Sequence, residues 1–425
     1  MLRFNTDFLR DKINLKSLNK KYSKSVIHIC ENVRKKIAHG SLLTDWMEID
    51  LLQKNVDIDL IEKIKKEWIK LKIKNVVIIG IGGSYIGAKA IIDMLSPKDR
   101  LFNLFFVHNI NSDFLLPILD KIGKCFGIVV ISKSGKTIEP SVAFRIFRKK
   151  LEENVGLAQA RKCISVVTSK NDSILNKFSS IKGYHILSIP NNIGGRFSTL
   201  TNAGLLPVSL AGIDIKKILA GARAALKELD TPILRDNTAY QYACYRYYFY
   251  TVKKLQIENF IVYDPNLTMI ASQWQQLFGE SEGKNGKALF PAYSTFTTDL
   301  HSLGQYLQQG TKNFFETTLI VDKPNYDIRL KVDNNNDGLQ YLNNVKLSSI
   351  TQKAFEGTIF AHSVSGKVNN LVVQISKADE FHYGYLFIWL AKAAMMSAYL
   401  LKLNPFDQPG VELYKNKMFE LLRYK

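Results

Sequence analysis

The sequence predicts an α/β protein built from two doubly wound parallel sheets flanked by helices, with helices at its start and a single helix at its end. Two observations carry that expectation. Short apolar runs without alternation recur at 76–79, 104–107 and 128–131, and helical patterns separate them. Strands apolar on both faces belong to parallel sheets covered on both sides. A length of 425 residues is also long for one core, so two domains are expected.

Residues 1–72 form an N-terminal helical segment, in which Leu60, Ile61, Ile64, Trp68 and Leu71 recur at helical spacing among lysines and glutamates. Residues 73–212 form the first sheet domain. Its strands are 76–79, 104–107, 128–131, 164–167 and 185–189, and 143–152 is one of the helices between them. Residues 213–403 form the second sheet domain. It opens with a helix at 240–253, continues with strands at 260–263, 317–321 and 371–375, and closes with a helix at 383–403 that Pro405 ends. Residues 322–344, rich in Asn and Asp, make an exposed connection. Residues 404–425 are a loop by composition, Asn404 to Gly410, followed by a last helix from Val411. No clear sequence repeat relates the two sheets.

Hydrophobic residues make up 46% and charged residues 23%, which fits a globular protein with sizeable cores. The formal charge of +20 favours anionic partners such as nucleic acid, an anionic membrane surface or a phosphorylated metabolite. The lysines are scattered, without long basic runs or aromatic-basic alternation, so nucleic acid is not expected as a partner. Cys30, Cys125, Cys163 and Cys244 have no paired spacing, which argues against a zinc site or disulfide scaffold and suits a reducing compartment. The first residues carry charge where a signal peptide needs an apolar run. The most apolar late segment, 385–401, is interrupted by Lys392 and is expected as a buried core helix, not a membrane span. A cytoplasmic protein without membrane association follows.

Six segments carry chemistry. Gly80-Ile81-Gly82-Gly83-Ser84-Tyr85-Ile86-Gly87 follows the first strand and opens a helix, where glycines let the backbone approach an anion. The same glycines also suit a plain tight turn. Tyr85 stands where a dinucleotide fingerprint needs glycine, and His108-Asn109 where it needs an acid, so NAD is not expected. Ser132-Lys133-Ser134-Gly135-Lys136-Thr137 follows the third strand and gathers hydroxyls, amides and a helix start at a strand's carboxyl end, as phosphate binding requires. Gly194-Gly195-Arg196 places an arginine able to hold an oxyanion, although a surface salt bridge is the plainer use of such a residue. Gly279-Glu280-Ser281-Glu282-Gly283-Lys284 sets a candidate base, Glu280, on a small-residue turn, with Glu282 expected in solvent. The spacing fails a nucleotide-binding P-loop by one residue, and Asn285 replaces its hydroxyl. Thr298-Asp299-Leu300-His301 adds an imidazole beside an acid, and Asp407-Gln408-Pro409-Gly410 leads to Lys415 on the first turns of the last helix.

In this order the glycine turn, the Ser-Lys-Ser loop, the Gly-Gly-Arg segment, the Gly-Glu-Ser-Glu-Gly-Lys motif and the 404–412 segment, which span the chain from about residue 75 to its end, resemble the glucose-6-phosphate isomerase family in its bacterial form. The glycine turn and the Ser-Lys-Ser loop are similar to a sugar-isomerase (SIS) domain, so both sheet domains are expected to be SIS-like. The resemblance implies reversible aldose-ketose isomerisation of glucose 6-phosphate and fructose 6-phosphate through a cis-enediol. It implies Glu280 as base, Arg196 as stabiliser of the enediolate, and His301 with Lys415 in ring opening. Gly83, Ser84, Ser132, Lys133, Ser134 and Thr137 are implied at the phosphate, and Gln276 and Gln408 at the sugar. A homodimer is implied, with His301 contributed across the interface, and neither metal nor organic cofactor. At Lys136 the chain departs from the threonine usual in bacterial relatives; a lysine there adds charge to the phosphate site or points outward. A non-catalytic phosphosugar-binding regulator, or an isomerase of another sugar phosphate, is the alternative.

Overall fold

A computed structural model describes residues 2–11, 13–171, 173–332 and 337–423. By contact the chain divides into two compact units, Lys36–Lys227 and a discontinuous one formed by Met1–Lys35 with Glu228–Lys425. In chain order the strands are β1 (Arg3–Asn5), β2 (Asn75–Ile79), β3 (Asn103–Val107), β4 (Gly127–Ile131), β5 (Ile164–Ser169), β6 (His185–Ile189), β7 (Ile257–Val262), β8 (Phe290–Thr295), β9 (Phe314–Lys323) and β10 (Asn370–Lys377).

The continuous unit has a sheet in the order β3-β2-β4-β5-β6, parallel throughout. Its inner strands are buried along almost their whole length, as their unalternating Val and Ile runs require. The strand order reverses at β2, whose neighbours are β3 on one side and β4 on the other. In such sheets the crevice at the carboxyl ends of the strands flanking the reversal is where ligands bind. The glycine turn leaves β2 and the Ser-Lys-Ser loop leaves β4, so the topology sets both at that crevice. The helix Ile58–Lys70 starts where Asp57 accepts a hydrogen bond from the Leu60 amide, and it buries Ile61, Ile64 and Trp68. Gly127 at the start of β4 admits the Trp68 ring, for a Cβ there would lie 2.7 Å from it.

The discontinuous unit has a sheet in the order β1-β10-β9-β7-β8. The run from β10 to β8 is parallel, while β1 pairs antiparallel with β10, Phe4 facing Val373. The helical reading of the first residues is therefore corrected at Arg3–Asn5, where three residues are too few to show a period. β8 is likewise absent from the sequence reading. It is an edge strand with Pro291 inside it, a residue that only an edge tolerates. The helix Glu380–Leu400 begins at Asp379, whose side chain accepts from the His382 amide. It is apolar around its whole circumference and buried almost throughout, as its composition predicts. Lys392 is accommodated there at 2% exposure because its Nζ donates to the Leu229 carbonyl at 3.0 Å.

Beyond β9 the connection is exposed as expected up to residue 332, and 333–336 lie outside the described residues. The last helix spans Gly410–Arg423, and 424–425 lie outside the described residues. Among the described residues no helix is long and apolar enough to cross a membrane.

Candidate active site

In the continuous unit the chain leaves β2 and turns through Gly80 to Ser84 into the helix Ile86–Leu95. Gly83 is pressed against the loop before Arg196: a Cβ on it would lie 2.2 Å from the Gly195 carbonyl oxygen. Gly87 meets Thr199 in the same manner. The glycines thus serve close packing of the turn on the Gly-Gly-Arg segment, and they hold half-buried Ser84 beside it.

Arg196 itself lies in the 3-10 helix Gly195–Leu200 and is 3% exposed. Its guanidinium is 5.5 Å from the centre of the Phe197 ring, which stacks on Trp46 at 5.1 Å. This corrects the reading of a surface salt bridge, because the aromatic stack and the glycine-permitted approach draw the side chain inward.

The loop after β4 is organised by its own hydroxyls. Ser132 is buried and its Oγ accepts from the Gly135 amide at 3.2 Å, while Ser134 Oγ accepts from the Lys136 amide at 3.2 Å. Thr168 Oγ1 donates to the Ser132 carbonyl at 2.7 Å and fixes the loop to β5. Thr137 occupies the N-cap of the helix Ile138–Val155 without a side-chain cap bond. Gly135 has φ +68, the left-handed region that favours glycine. Lys133 does something the sequence did not show. Its Nζ donates to the carbonyls of Asn191 at 3.0 Å and Ile193 at 2.8 Å, fastening the approach to Gly194 onto the serine loop. Burial pushes its pKa down. Lys136, by contrast, is exposed.

His108 carries a feature that the motifs did not assign it. At the end of β3 its ring stacks on Tyr85 at 4.4 Å and lies 5.1 Å from Phe114. Burial lowers its pKa.

In the discontinuous unit Glu280 lies in the last turn of the helix Thr268–Glu282, and only Gly283 and Lys284 of the motif lie beyond it. The expected small-residue turn is therefore corrected to a helix end, since the pattern from Trp274 to Glu282 continues the helix period and its glycine sits inside. Gln276 Nε2 donates to Glu280 Oε1 at 2.9 Å across one helical turn, so the spacing of four brings the two together. Glu280 is half-buried. Glu282 is not in solvent: it is 1% exposed, and Arg246 donates to its Oε2 at 2.8 Å. Arg246 stood outside every motif, and only the buried carboxylate it neutralises reveals it.

Lys284 closes the motif onto the C-terminal loop. Its Nζ donates to Asp407 Oδ1 at 2.6 Å and to the Asn404 carbonyl. Glu280 and the segment holding Gln408 are thereby tied into one local structure, with Gln408 exposed. Lys415 lies on the helix Gly410–Arg423, pairing with Glu412 at 2.9 Å. His301 ends the 3-10 turn Thr298–His301 and is exposed, and its ring makes no hydrogen bond to another described residue. Asp299 does not orient it; Oδ2 accepts from the Thr295 amide at 2.6 Å instead. The discontinuous unit thus offers a carboxylate held by an amide beside a cation-braced loop, a group able to move a proton, and the continuous unit offers hydroxyls and an arginine of the kind that hold anions. Among the described residues no group of three or more His, Cys, Asp or Glu comes together as a metal would need.

The chain is similar over most of its length to known proteins. The model of phosphoglucose isomerase matches residues 8–322. A glucose-6-phosphate isomerase of Bacillus cereus is 43% identical over 406 residues, 92% of this chain and 89% of that protein. One of Bacillus anthracis matches at the same identity and coverage. Among solved structures, a hypothetical protein from Thermus thermophilus superposes with a TM-score of 0.89 at 23% identity, covering 100% of both chains. A glucose-6-phosphate isomerase from Chlamydia trachomatis gives 0.83 at 20% identity, covering 99% of this chain and 88% of that one. At those identities the structures show the fold, while the family match and the Bacillus relatives show more: this chain belongs to the phosphoglucose isomerase family.

Proposed function

We propose that this protein interconverts glucose 6-phosphate and fructose 6-phosphate. The observation that carries the reading is the 43% identity, over 92% of the chain, to glucose-6-phosphate isomerases. Glu280 is the base. It takes the proton from C2 of the open aldose while O1 gains a proton, giving a cis-enediol. It then returns the proton to C1 as O2 loses its own, and the ketose results. The hydrogen bond from Gln276 supports this role by aiming the carboxylate. Charge accumulates on the enediolate oxygens, and the guanidinium of Arg196 offsets it.

Ser84, Ser132, Ser134 and Thr137 hold the phosphate with hydroxyls and adjoining amides, beside Gly83. Lys133 braces that cradle through the carbonyls of Asn191 and Ile193. Gln276 and Gln408 contact the sugar hydroxyls. His301 and Lys415 move the ring-oxygen and hydroxyl protons during ring opening. The exposed ring of His301, without an orienting partner in its own chain among the described residues, supports its use across a homodimer interface. The reaction belongs to the cytoplasm, where sugar phosphates reside, and needs neither metal nor organic cofactor in this scheme.

The test is turnover of fructose 6-phosphate coupled to a glucose-6-phosphate dehydrogenase readout, in chelator-treated protein. Glu280→Gln should lower the rate at least about 10²-fold, the low end for a lost general base, and retain sugar-phosphate binding. Near-normal turnover in that variant would remove Glu280 from the role. No turnover in the folded wild type would leave the regulator, or another sugar phosphate, in its place.

A further inference from the structure

The continuous unit contains a cavity of about 270 Å³ that adjoins the serine loop and runs from it between two helices. It opens between the helices Ile138–Val155 and Ile174–Lys182, and its lining joins an aromatic wall to two arginines. Phe144 and Phe178 form the wall, with Tyr184 set edge-on to both rings. The guanidinium of Arg148 lies 5.0 Å from the Phe178 centroid and 5.8 Å from that of Phe144. Its Nε is buried and makes no hydrogen bond. The nearest carboxylate, on Glu152, is 3.7 Å away, too far for a hydrogen bond. Arg145 also lines the cavity and is exposed, one nitrogen donating to the Ser141 carbonyl at 2.8 Å.

An apolar space with a cation on its aromatic wall selects a ligand with a flat ring and one negative charge. The ring replaces water against the phenylalanines, and the anion pairs with the guanidinium of Arg148, whose Nε is held only loosely by Glu152. The volume falls just under the common range of about 300–1,000 Å³ for ligand sites, so the ligand has one or two rings.

The cavity also touches the serine loop. Ser132 and Gly135 line it. Gly135 is the pivot of that loop, and a Cβ on it would lie 2.7 Å from Leu175, at the start of the second helix. Any ligand that parts the two helices moves Leu175 relative to Gly135. Occupancy is thereby transmitted to the hydroxyls of the loop.

We propose that this cavity is a second ligand site, for a small aromatic carboxylate, sulfonate or phosphate monoester, and that filling it changes phosphate affinity at the Ser132–Thr137 loop. The coupling rests on the phosphate role assigned to that loop; the binding does not.

The experiment uses naphthalene-1-sulfonate, a fluorescent two-ring anion, with the full chain. Fluorescence should show saturable binding of one molecule per chain. Arg148→Met should weaken it tenfold or more and Ser141→Phe, which fills the space, should abolish it, with near-ultraviolet dichroism retained. Saturating probe should shift the affinity for inorganic phosphate at least about fivefold, and phosphate should shift that for the probe by the same factor. Wild-type binding in Arg148→Met overturns the site even if Ser141→Phe fails to fold. Displacement by phosphate in simple competition, indifferent to Arg148, places the probe in the serine loop and overturns it too. Binding with unchanged phosphate affinity overturns the coupling. Failure of the isomerase reading shows as absent turnover with probe binding and its loss in the variants intact.

Discussion

Arg246 donates to Glu282 Oε2 at 2.8 Å, two residues beyond the proposed base on the same helix. The same guanidinium meets Glu258 of β7 and lies 3.9 Å from the centre of the Phe278 ring. Glu258 accepts from Tyr242 Oη at 2.5 Å and Thr317 Oγ1 at 2.6 Å, and Trp274 Nε1 donates to Tyr242 Oη at 2.9 Å. The last turn of the helix carrying Glu280 is thus anchored to the sheet through a buried ionic group. One arginine between two carboxylates is a costly arrangement that stands only while complete.

Removing the arginine should be severe. Arg246→Met leaves two carboxylates facing each other without water, and breaking a buried pair in this way costs about 3–5 kcal/mol. Glu282→Gln keeps a hydrogen-bond acceptor and should cost less. Urea unfolding of both variants checks the order, and the reverse order would show that the cluster does not behave as an ion pair.

Lys284 and Asp407 should be energetically coupled. The amine is nearly buried and also holds the Asn404 carbonyl, so Lys284→Ala should loosen the 404–410 loop. A double-mutant cycle with Asp407→Asn should give a coupling energy of at least about 0.5 kcal/mol. With the roles proposed above, Lys284→Ala should raise KM for the sugar phosphate severalfold, since Gln408 sits on that loop. Additive stabilities and an unchanged KM would separate the loop from the site.

The parallel core strands were legible because burial on both faces writes continuous Val and Ile runs into β2, β4 and β5. β8 was not, for an edge strand with one buried residue carries no continuous apolar run and includes Pro291. β1 has three residues and takes its conformation wholly from β10. Within the site, the serine loop could be read directly, since it is local in sequence, whereas the approach of Gln276 to Glu280 could not, because the expected turn hid the helix that brings them together. Arg246, and the hold of Lys133 on the carbonyls of Asn191 and Ile193, could not. Their partners lie tens of residues away, and nothing in a lysine or arginine's neighbours announces burial. Glu282 was misjudged for the same reason.

Gly83 and Gly195 face each other and should respond oppositely to alanine. A Cβ on Gly83 would sit 2.2 Å from the Gly195 carbonyl oxygen, whereas one on Gly195 meets nothing within 4 Å. Gly83→Ala must move backbone and should cost about 1–3 kcal/mol, the range of overpacking. Gly195→Ala should stay within about 0.5 kcal/mol. Thermal or denaturant unfolding of the two variants distinguishes them, and equal losses would refute the close approach.

His108 should impose a slope on stability in mild acid. Its pKa in the folded protein lies below the ordinary 6.5, chiefly through burial against Tyr85 and Phe114, with Lys89 adding a smaller push in the same direction. The unfolded chain therefore takes up this proton first as pH falls. The contribution is fully present above about pH 6.5 and is lost progressively below it, with a slope of at most about 1.4 kcal/mol per pH unit. His108→Gln should flatten the pH dependence between about pH 7 and pH 5 relative to wild type. Parallel curves for the two proteins would show that this ring does not titrate differently on unfolding.

The pairing of β1 with β10 has a consequence for synthesis. Arg3 faces Gln374, so β1 finds its partner only after β10 has been made. The unit Lys36–Lys227 needs nothing outside its own span for its sheet and can close while translation continues, since domains fold as units from the N-terminal side. The first residues, meanwhile, wait at the ribosome with their edge unclaimed. The half of the protein bearing Glu280 is thus the last to mature, and a premature stop before residue 370 would release the Lys36–Lys227 unit with its sheet complete and the second sheet without β10.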